Sequence, residues 1–519
     1  MKVKILSELN LFPSGYLNSH SYRIPSLLKL SNGKTIAIVD QRLDSQLDAP
    51  YSRINQIIRI SEDGIKWTEG KIIFKLETFR EENNPSFIDS VIVEDKINQT
   101  IYLAVDVWPG SSGLMPIVEK QNPLSDHFLG FSEDLKYLKL LKWNSSSKFI
   151  LKPYEDEYLK NRWFRAYEVI DGKWNNTLKF NLKITNIFVD NNFDSETGIL
   201  KGAVYENINE TKNIFKAKPV CSIWDGINLK NPNYKNPKYY ISSSPYLYLF
   251  KSVNNGLNWE LVTNLNNQIN KLNPKTNALV WGPGKGLQLQ NQVNKEKNGR
   301  LMFPLYEVNY ALPLSAFVTY SDDYKTWKTS SYLNDPKYKN WNWLSETQIV
   351  ESKNGTLYAF ARNPYQNKLC ISISNDGGES WSDLNKKNID YFSTINYKPI
   401  NAQIMHGLAN FEFRNNEYIL LSLPTEKSRK NGKIFIIKNY DFKNIRELFQ
   451  IDNINDSFGY STIEILDIQD NFVDFAILYE VSKTRNKDLE WVGFQKEESS
   501  VTKEPSEIFY KKLRIEFDN

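Results

Sequence analysis

The stretch SNDGGESW, Ser374 to Trp381, is a tight turn followed by a tryptophan, and it recurs. SVNNGLNW (Ser252 to Trp259) carries Asn254 in place of the aspartate. SEDGIKW (Ser61 to Trp67) and SDDYKTW (Ser321 to Trp327) are one residue shorter. A strand-like run precedes each copy. The Ser and Asp side chains can hydrogen-bond the turn backbone, and Gly supplies positive φ where it is present. The Trp then buries against the next strand. A calcium loop would need five or six oxygen ligands and a terminal Glu within about 12 residues, which none of the copies offers. The motif therefore reads as a structural hairpin turn. Its recurrence at spacings of about 50 to 70 residues predicts blades around an axis.

Outward from these turns the chain is a series of short β-like runs. IAIVDQR, INQIIRIS, TIYLAVDVW, TLYAFARN, LCISIS, EYILLSL, GKIFIIK and FAILYE are rich in Ile, Val, Tyr and Phe. Asn, Asp, Gly and Lys clusters separate them. Helical periodicity is scarce, so the chain is expected to be all-β. The composition is globular: 40% hydrophobic, 24% charged and 13% aromatic in 519 residues. A net charge of +4 excludes a nucleic-acid footprint. No apolar run is long enough for a membrane span. Two cysteines and three histidines, with no HExxH or CxxC, favour neither a disulfide framework nor a zinc site. Residues 110–240 lack the repeated turn and read as an inserted, irregular or β-rich subdomain, too aromatic for disorder. The expected organisation is therefore 1–109, the insertion 110–240, and 241–519.

The Asp-x-Gly-x-x-Trp turns resemble the Asp boxes of sialidases, and Tyr22-Arg23-Ile24-Pro25 resembles the Arg-Ile-Pro motif that opens their propeller. The resemblance runs from Tyr22 to about Glu480, the insertion excepted, and implies a six-bladed β-propeller. Its NPSFIDSVIV and GPGKGLQLQNQ passages resemble the branch containing intramolecular trans-sialidases. The chemistry can be stated independently. Sialic acid bears a carboxylate on its anomeric carbon, and guanidinium forks match carboxylates. Arg23, Arg362 in LYAFARNP and Arg429 in PTEKSRKNGKIFI resemble the three family arginines; Arg414 and Arg446 are the neighbouring alternatives to Arg429. Asp48, six residues after Arg42, resembles the acid on a mobile loop, with Asp44 its local competitor. Arg42 is expected at the sugar's ring substituents.

A carboxylate nucleophile would be repelled by the substrate's own carboxylate, and sialidases use a tyrosine instead. Tyr460 in FGYSTIEIL and Glu346 in WLSETQIVE resemble the tyrosine and its base. Asp89, Gln288 and Tyr306 resemble residues that line the sugar site. GPGKG lacks the rest of a phosphate loop. The resemblance implies an exo-α-sialidase needing no cofactor or metal, acting on sialylated glycans, glycoproteins and glycolipids, with water hydrolysis as the expected outcome. The trans-sialidase branch favours a Trp just after the Tyr-Glu strand end. Here VSKTRNKDLEW follows Tyr479-Glu480, with no Trp before Trp491. The alternatives are intramolecular transfer giving an anhydro sugar, and a non-catalytic sialoglycan-binding propeller. A monomer is expected. Sialosides on host glycans argue for a secreted or cell-surface protein. The opening MKVKILSELNLFPSG lacks a signal-peptide core, so either the protein is not exported by that route, with the cytoplasm as the alternative compartment, or a leader has been removed.

Overall fold

The computed structural model describes residues 1–113, 137–159, 162–170, 181–228, 233–269, 278–308, 314–333, 344–363, 370–383, 404–426, 429–487 and 504–518. Each repeated turn is built as its residues dictate. In the Ser374 copy, Asp376 Oδ1 accepts from the backbone N–H groups of Glu379 (3.1 Å) and Ser380 (3.0 Å). Ser374 Oγ accepts from Gly378 N–H at 2.9 Å, and Trp381 Nε1 donates to the Gly378 carbonyl at 3.2 Å. The Ser252 copy repeats this, with Gly256 N–H on Ser252 Oγ, Asn258 N–H on Asn254 Oδ1 and Trp259 Nε1 on Gly256. In the two shorter copies, Asp63 Oδ1 caps Ile65 and Lys66, and Asp323 Oδ1 caps Lys325 and Thr326.

All four turns occupy one topological position. They join Ile54–Ser61 to Lys71–Leu76, Tyr246–Ser252 to Glu260–Asn264, Ser315–Ser321 to Lys328–Thr329, and Cys370–Ser374 to Ser382–Asp383. Each pair forms the third and fourth strands of an antiparallel run. The fold is all-β and propeller-like. Three sheets have four strands and one has five. A further eleven-stranded sheet holds two such runs, Ser21–Lys29 to Lys71–Leu76 and Ser86–Asp95 to Glu260–Asn264. One parallel pair, Ile54 with Ser86, links their strands Ile54–Ser61 and Ser86–Asp95. The hydrogen-bonded sheets thus do not divide into six equal blades. Lys2–Phe12 pairs antiparallel with Ser506–Glu516, so the chain's first strand completes the sheet of its last three.

A seven-stranded sheet lies between Leu138 and Tyr240. One face, with Leu138, Leu140, Phe149 and Leu151, shares a core with Phe74, Phe87 and Phe250 of the eleven-stranded sheet. Trp224 is fully buried there and donates Nε1–H to the Lys201 carbonyl at 2.9 Å. Burial of such a side chain contributes about 1.5–3 kcal/mol or more. The neck of this sheet is closed by glycine. A Cβ on Gly226 would stand 1.8 Å from the Gly110 carbonyl oxygen, a distance no side chain tolerates.

Candidate active site

The residues that converge do so because of where they fall on their strands. Arg23 lies near the start of the first strand of its run, and Asp89 near the start of another. Glu346 and Tyr460 each sit one residue before a first strand. Arg42 and Arg362 lie at or just past the ends of second strands, and Tyr306 lies two residues before the end of one. Antiparallel pairing brings these two sets to one end of the sheets. Arg362 N–H donates to the Glu346 carbonyl at 2.8 Å, which extends the ladder Thr347 to Ala361 by one step. Glu480 N–H donates to the Tyr460 carbonyl at 2.9 Å in the same way. The backbone is irregular where side chains must turn inward. Ile24, Asp89 and Arg429 have φ of 55°, 61° and 55°, and the pairing of Arg23 and Ile88 with their neighbours shifts register at a bulge.

Three guanidinium groups surround the Tyr460 ring, with their Cζ atoms 5.7 Å (Arg23), 5.9 Å (Arg362) and 5.4 Å (Arg429) from its centroid. The phenol accepts from Arg362 Nη1 at 2.7 Å and donates to Glu346 Oε1. Glu346 Oε2 pairs with Arg362 Nη1 at 2.8 Å. Burial pushes the phenol well above its ordinary pKa, opposed by Arg362 and Arg429 and reinforced by Glu346. Arg429 is pushed the other way. Burial lowers its pKa, Tyr460 offsets this in part, and the like charges of Arg362 and Arg23 lower it further. No carboxylate among the described residues forms an ion pair with Arg429. Such a concentration of positive charge is compensated by an anion.

Asp48 borders this cluster on the loop between Thr35–Arg42 and Ile54–Ser61. Its Oδ1 accepts from Arg42 Nη1 at 2.6 Å and lies 3.4 Å from Arg23 Nη1. The side chain is 59% exposed. Desolvation favours the neutral acid, but Arg42, then Arg23 and Arg429, outweigh it and hold the carboxyl at about 2. Arg42 is fully buried and also binds Asp40 Oδ2 at 3.0 Å and the Gln46 carbonyl at 2.8 Å. Asp44 is turned away into an ion pair with Arg53. Asp89 makes no hydrogen bond among the described residues. Burial, then Asp40 and Asp106, raise its pKa well above the usual carboxylate range. Tyr306 is buried, with its pKa raised by burial first and then by Glu346, Asp89 and Tyr460.

Gln288 is a correction. It pairs with Leu301 at the start of a second strand, whereas Tyr306 lies five residues further on, some 16 Å away at strand rise. Its amide donates to Asp95 Oδ1 at 2.6 Å and accepts from Lys96 N–H at 2.9 Å. It therefore ties two sheets together at the far end, away from the cluster. Arg414, the alternative to Arg429, binds the Asp470 and Asp518 carbonyls at the surface. Two residues of the cluster carried no separate expectation. Glu480 is fully buried, pairs with Arg23 Nε at 3.3 Å, and accepts from the N–H groups of Ile24 (2.8 Å) and Tyr460 (3.3 Å). Its signal was the register that places it opposite Tyr460. His406 is 1% exposed, and neither ring nitrogen has a hydrogen-bond partner among the described residues. Burial, then Arg362, lower its pKa to about 3. No spacing marked it. Trp491 lies outside the described residues. Among those residues no group of three or more His, Cys, Asp or Glu is placed to hold a metal.

A propeller-like array of sheets with three guanidinium groups gathered around a tyrosine–glutamate pair is the class this geometry defines. Comparison with known proteins finds similar chains. The family described as "BNR repeat-like domain" matches residues 235–466. The chain is 28% identical to the anhydrosialidase of Macrobdella decora over 460 residues, which is 82% of this chain and 53% of that protein. It is 26% identical to sialidase B of Streptococcus pneumoniae, over 91% of this chain and 63% of the relative. It therefore spans between half and two thirds of the length of these curated relatives. In fold it is similar to the intramolecular trans-sialidase from Ruminococcus gnavus, with a TM-score of 0.62, 24% identity, and coverage of 92% and 93% of the two chains. The chain is thus similar, over most of its length, to proteins named as an anhydrosialidase and a sialidase.

Proposed function

We propose that the chain is an exo-α-sialidase that removes terminal sialic acid from glycans, glycoproteins and glycolipids with retention of configuration. The observation that carries this reading is the gathering of Arg23, Arg362 and Arg429 on the Tyr460 ring. In it the three arginines grip the substrate carboxylate, while Arg42, Asp89 and Tyr306 contact the ring substituents. The phenolic oxygen of Tyr460 attacks the anomeric carbon as its proton passes to Glu346. The bond to the leaving oxygen breaks, and Asp48 supplies that oxygen with a proton. In the second half, Asp48 takes a proton from water, the water oxygen attacks the anomeric carbon, the bond from that carbon to the Tyr460 oxygen breaks, and Glu346 returns its proton to the phenol. The ionised Asp48 of the free protein must gain a proton first. A substrate carboxylate on Arg23 and Arg429 weakens the field that keeps it charged.

The same reading counts six blades, the eleven-stranded sheet being divided at the Ile54–Ser86 pair. It takes 110–240 as an inserted domain and the flanking segments, 1–109 and 241–519, as one propeller. It takes the protein as a monomer acting outside the cell, where sialosides are presented. No helix among the described residues is long and apolar enough to cross a membrane.

A second outcome is favoured by the relative named anhydrosialidase. There the sugar's own 7-hydroxyl, rather than water, resolves the tyrosyl intermediate and gives an anhydro sugar. Against it, the residue after Glu480 is Val481, fully buried and apolar, where a crowding Trp would be sought. Turnover of a fluorogenic sialoside, lost in Tyr460→Phe, tests the enzyme reading. Product mass separates free sialic acid from the anhydro form, which is lighter by one water. Binding to sialosides without any release would return the protein to a lectin role.

A further inference from the structure

The loop that bears Asp48 is held from one side. Arg53 forms an ion pair with Glu81. Asn84 Nδ2 donates to the Pro50 carbonyl at 2.7 Å, and Ser86 Oγ donates to the Ser52 carbonyl at 3.1 Å. The Asp48 carbonyl accepts from Tyr51 N–H at 2.9 Å, so Pro50 is inside the turn that begins at Asp48. The neighbouring asparagine faces the other way. Asn83 Nδ2 donates to the carbonyls of Asp225 (2.7 Å) and Gly226 (3.2 Å), and its Oδ1 accepts from Ser111 Oγ at 2.8 Å. Those partners form the neck of the seven-stranded sheet. Gly113 of the same neck lies against Pro50, where a Cβ would stand 3.1 Å from Pro50 Cδ. Asn84 itself is in the left-handed region, φ 55° and ψ 53°, which Asn adopts more readily than most residues.

We propose that Asn84 is a positioning residue for the acid: its amide holds the turn of Asp48 in place, and the neck of the inserted sheet, through Asn83, holds Asn84. This rests on the reading of Asp48 as the general acid. The physical argument is one of placement. A proton donor contributes only when it is within hydrogen-bond reach of the leaving oxygen. A displacement of about 1 Å costs on the order of 100-fold in rate. The Pro50 carbonyl is two residues from Asp48, and Asn84 is its side-chain clamp. The inserted sheet is thereby more than an appendage, because its neck sets the backbone on which the clamp is mounted.

A consequence separates this role from a merely structural one. A sugar alkoxide is a poor leaving group and needs the proton, whereas fluoride leaves without one. Asn84→Gly removes the amide while keeping the left-handed backbone free of strain. Its expected kcat/KM, which reports formation of the tyrosyl intermediate, is about 10- to 100-fold below the parent on 3′-sialyllactose and within about 2-fold of it on α-sialyl fluoride. Asn84→Asp, which cannot donate to the Pro50 carbonyl, should show the same split. Equal losses on both substrates, or no loss on either, would overturn the positioning role. Failure of the parent protein to turn over either substrate would instead overturn the sialidase reading itself, so the two failures are distinguishable.

Discussion

Asp48 is the residue whose state must change most. It is held at about 2 by Arg42, Arg23 and Arg429, so it is ionised in the free protein at any ordinary working pH. An anionic ligand placed on Arg23 and Arg429 removes part of that stabilisation, and the pKa rises. The sign follows from linkage: a carboxyl whose pKa rises on binding takes up a proton. Binding of 2-deoxy-2,3-dehydro sialic acid at about pH 5 should therefore be accompanied by net proton uptake. Calorimetry in buffers of different ionisation enthalpy would register it, and proton release would contradict it. Arg429 shows the other side of the same field. It is the arginine whose charge burial and its two like neighbours disfavour, so an anion gains most from contact with it. Arg429→Ala should raise KM for a sialoside by roughly 10- to 100-fold, the cost of a lost charged hydrogen bond of about 1.5–3 kcal/mol.

At the scale of the element, the repeated turn unites sequence and structure. Gly378 has φ 83°, and a Cβ there would stand 2.1 Å from the buried Met302 Cε. Gly33 has φ 93° with nothing within 4 Å of a Cβ. Gly378→Ala combines backbone strain with overpacking and is expected to cost roughly 2–4 kcal/mol. Gly33→Ala bears the backbone strain alone, about 1 kcal/mol. Urea midpoints of the two variants would measure the difference. The turns were legible in the sequence because their information is local: Ser, Asp or Asn, and Gly at fixed offsets specify the hydrogen bonds. Arg362 and Glu346 were legible for a related reason, since sixteen residues around an Asn-Gly hairpin place them opposite each other. Glu480 was less so. Its partner Ile24 is 456 residues away, and nothing local marks that contact. Gln288 was misplaced because the GPGKGLQLQNQ run suggests a lining segment, while register sends its amide to the far end of the strand.

Over the whole molecule, the sheet that contains Tyr460's neighbours is completed by the first strand of the chain. Leu11 and Phe12 are fully buried at its end, and Lys2–Phe12 is paired along its length with Ser506–Glu516. Removal of residues 1–12 exposes that edge and loses roughly 3–6 kcal/mol from these two side chains alone. A lower urea midpoint, with activity lost together with structure, is the expected result. The all-β class could be read from the sequence, since strand-forming runs are visible there. The way the sheets join could not be read. One parallel contact between Ile54 and Ser86 merges two four-stranded runs into a larger sheet, and a single tertiary pair leaves no periodic trace. The shared core of the seven-stranded and eleven-stranded sheets is likewise a property of packing between segments distant in sequence.

The central claim is that the Tyr460 phenol, ringed by Arg23, Arg362 and Arg429, is the atom that attacks the sugar. A sialosyl fluoride with a second fluorine at C3 slows both formation and breakdown of a tyrosyl intermediate, while its anomeric fluoride, a good leaving group, keeps formation possible. Mass spectrometry of the treated protein should find one 3-fluorosialosyl group, the anomeric fluoride having left, on the peptide that contains Tyr460, and none in Tyr460→Phe. A sugar carried on any other residue, or an unlabelled protein that still turns over sialosides, would contradict the account.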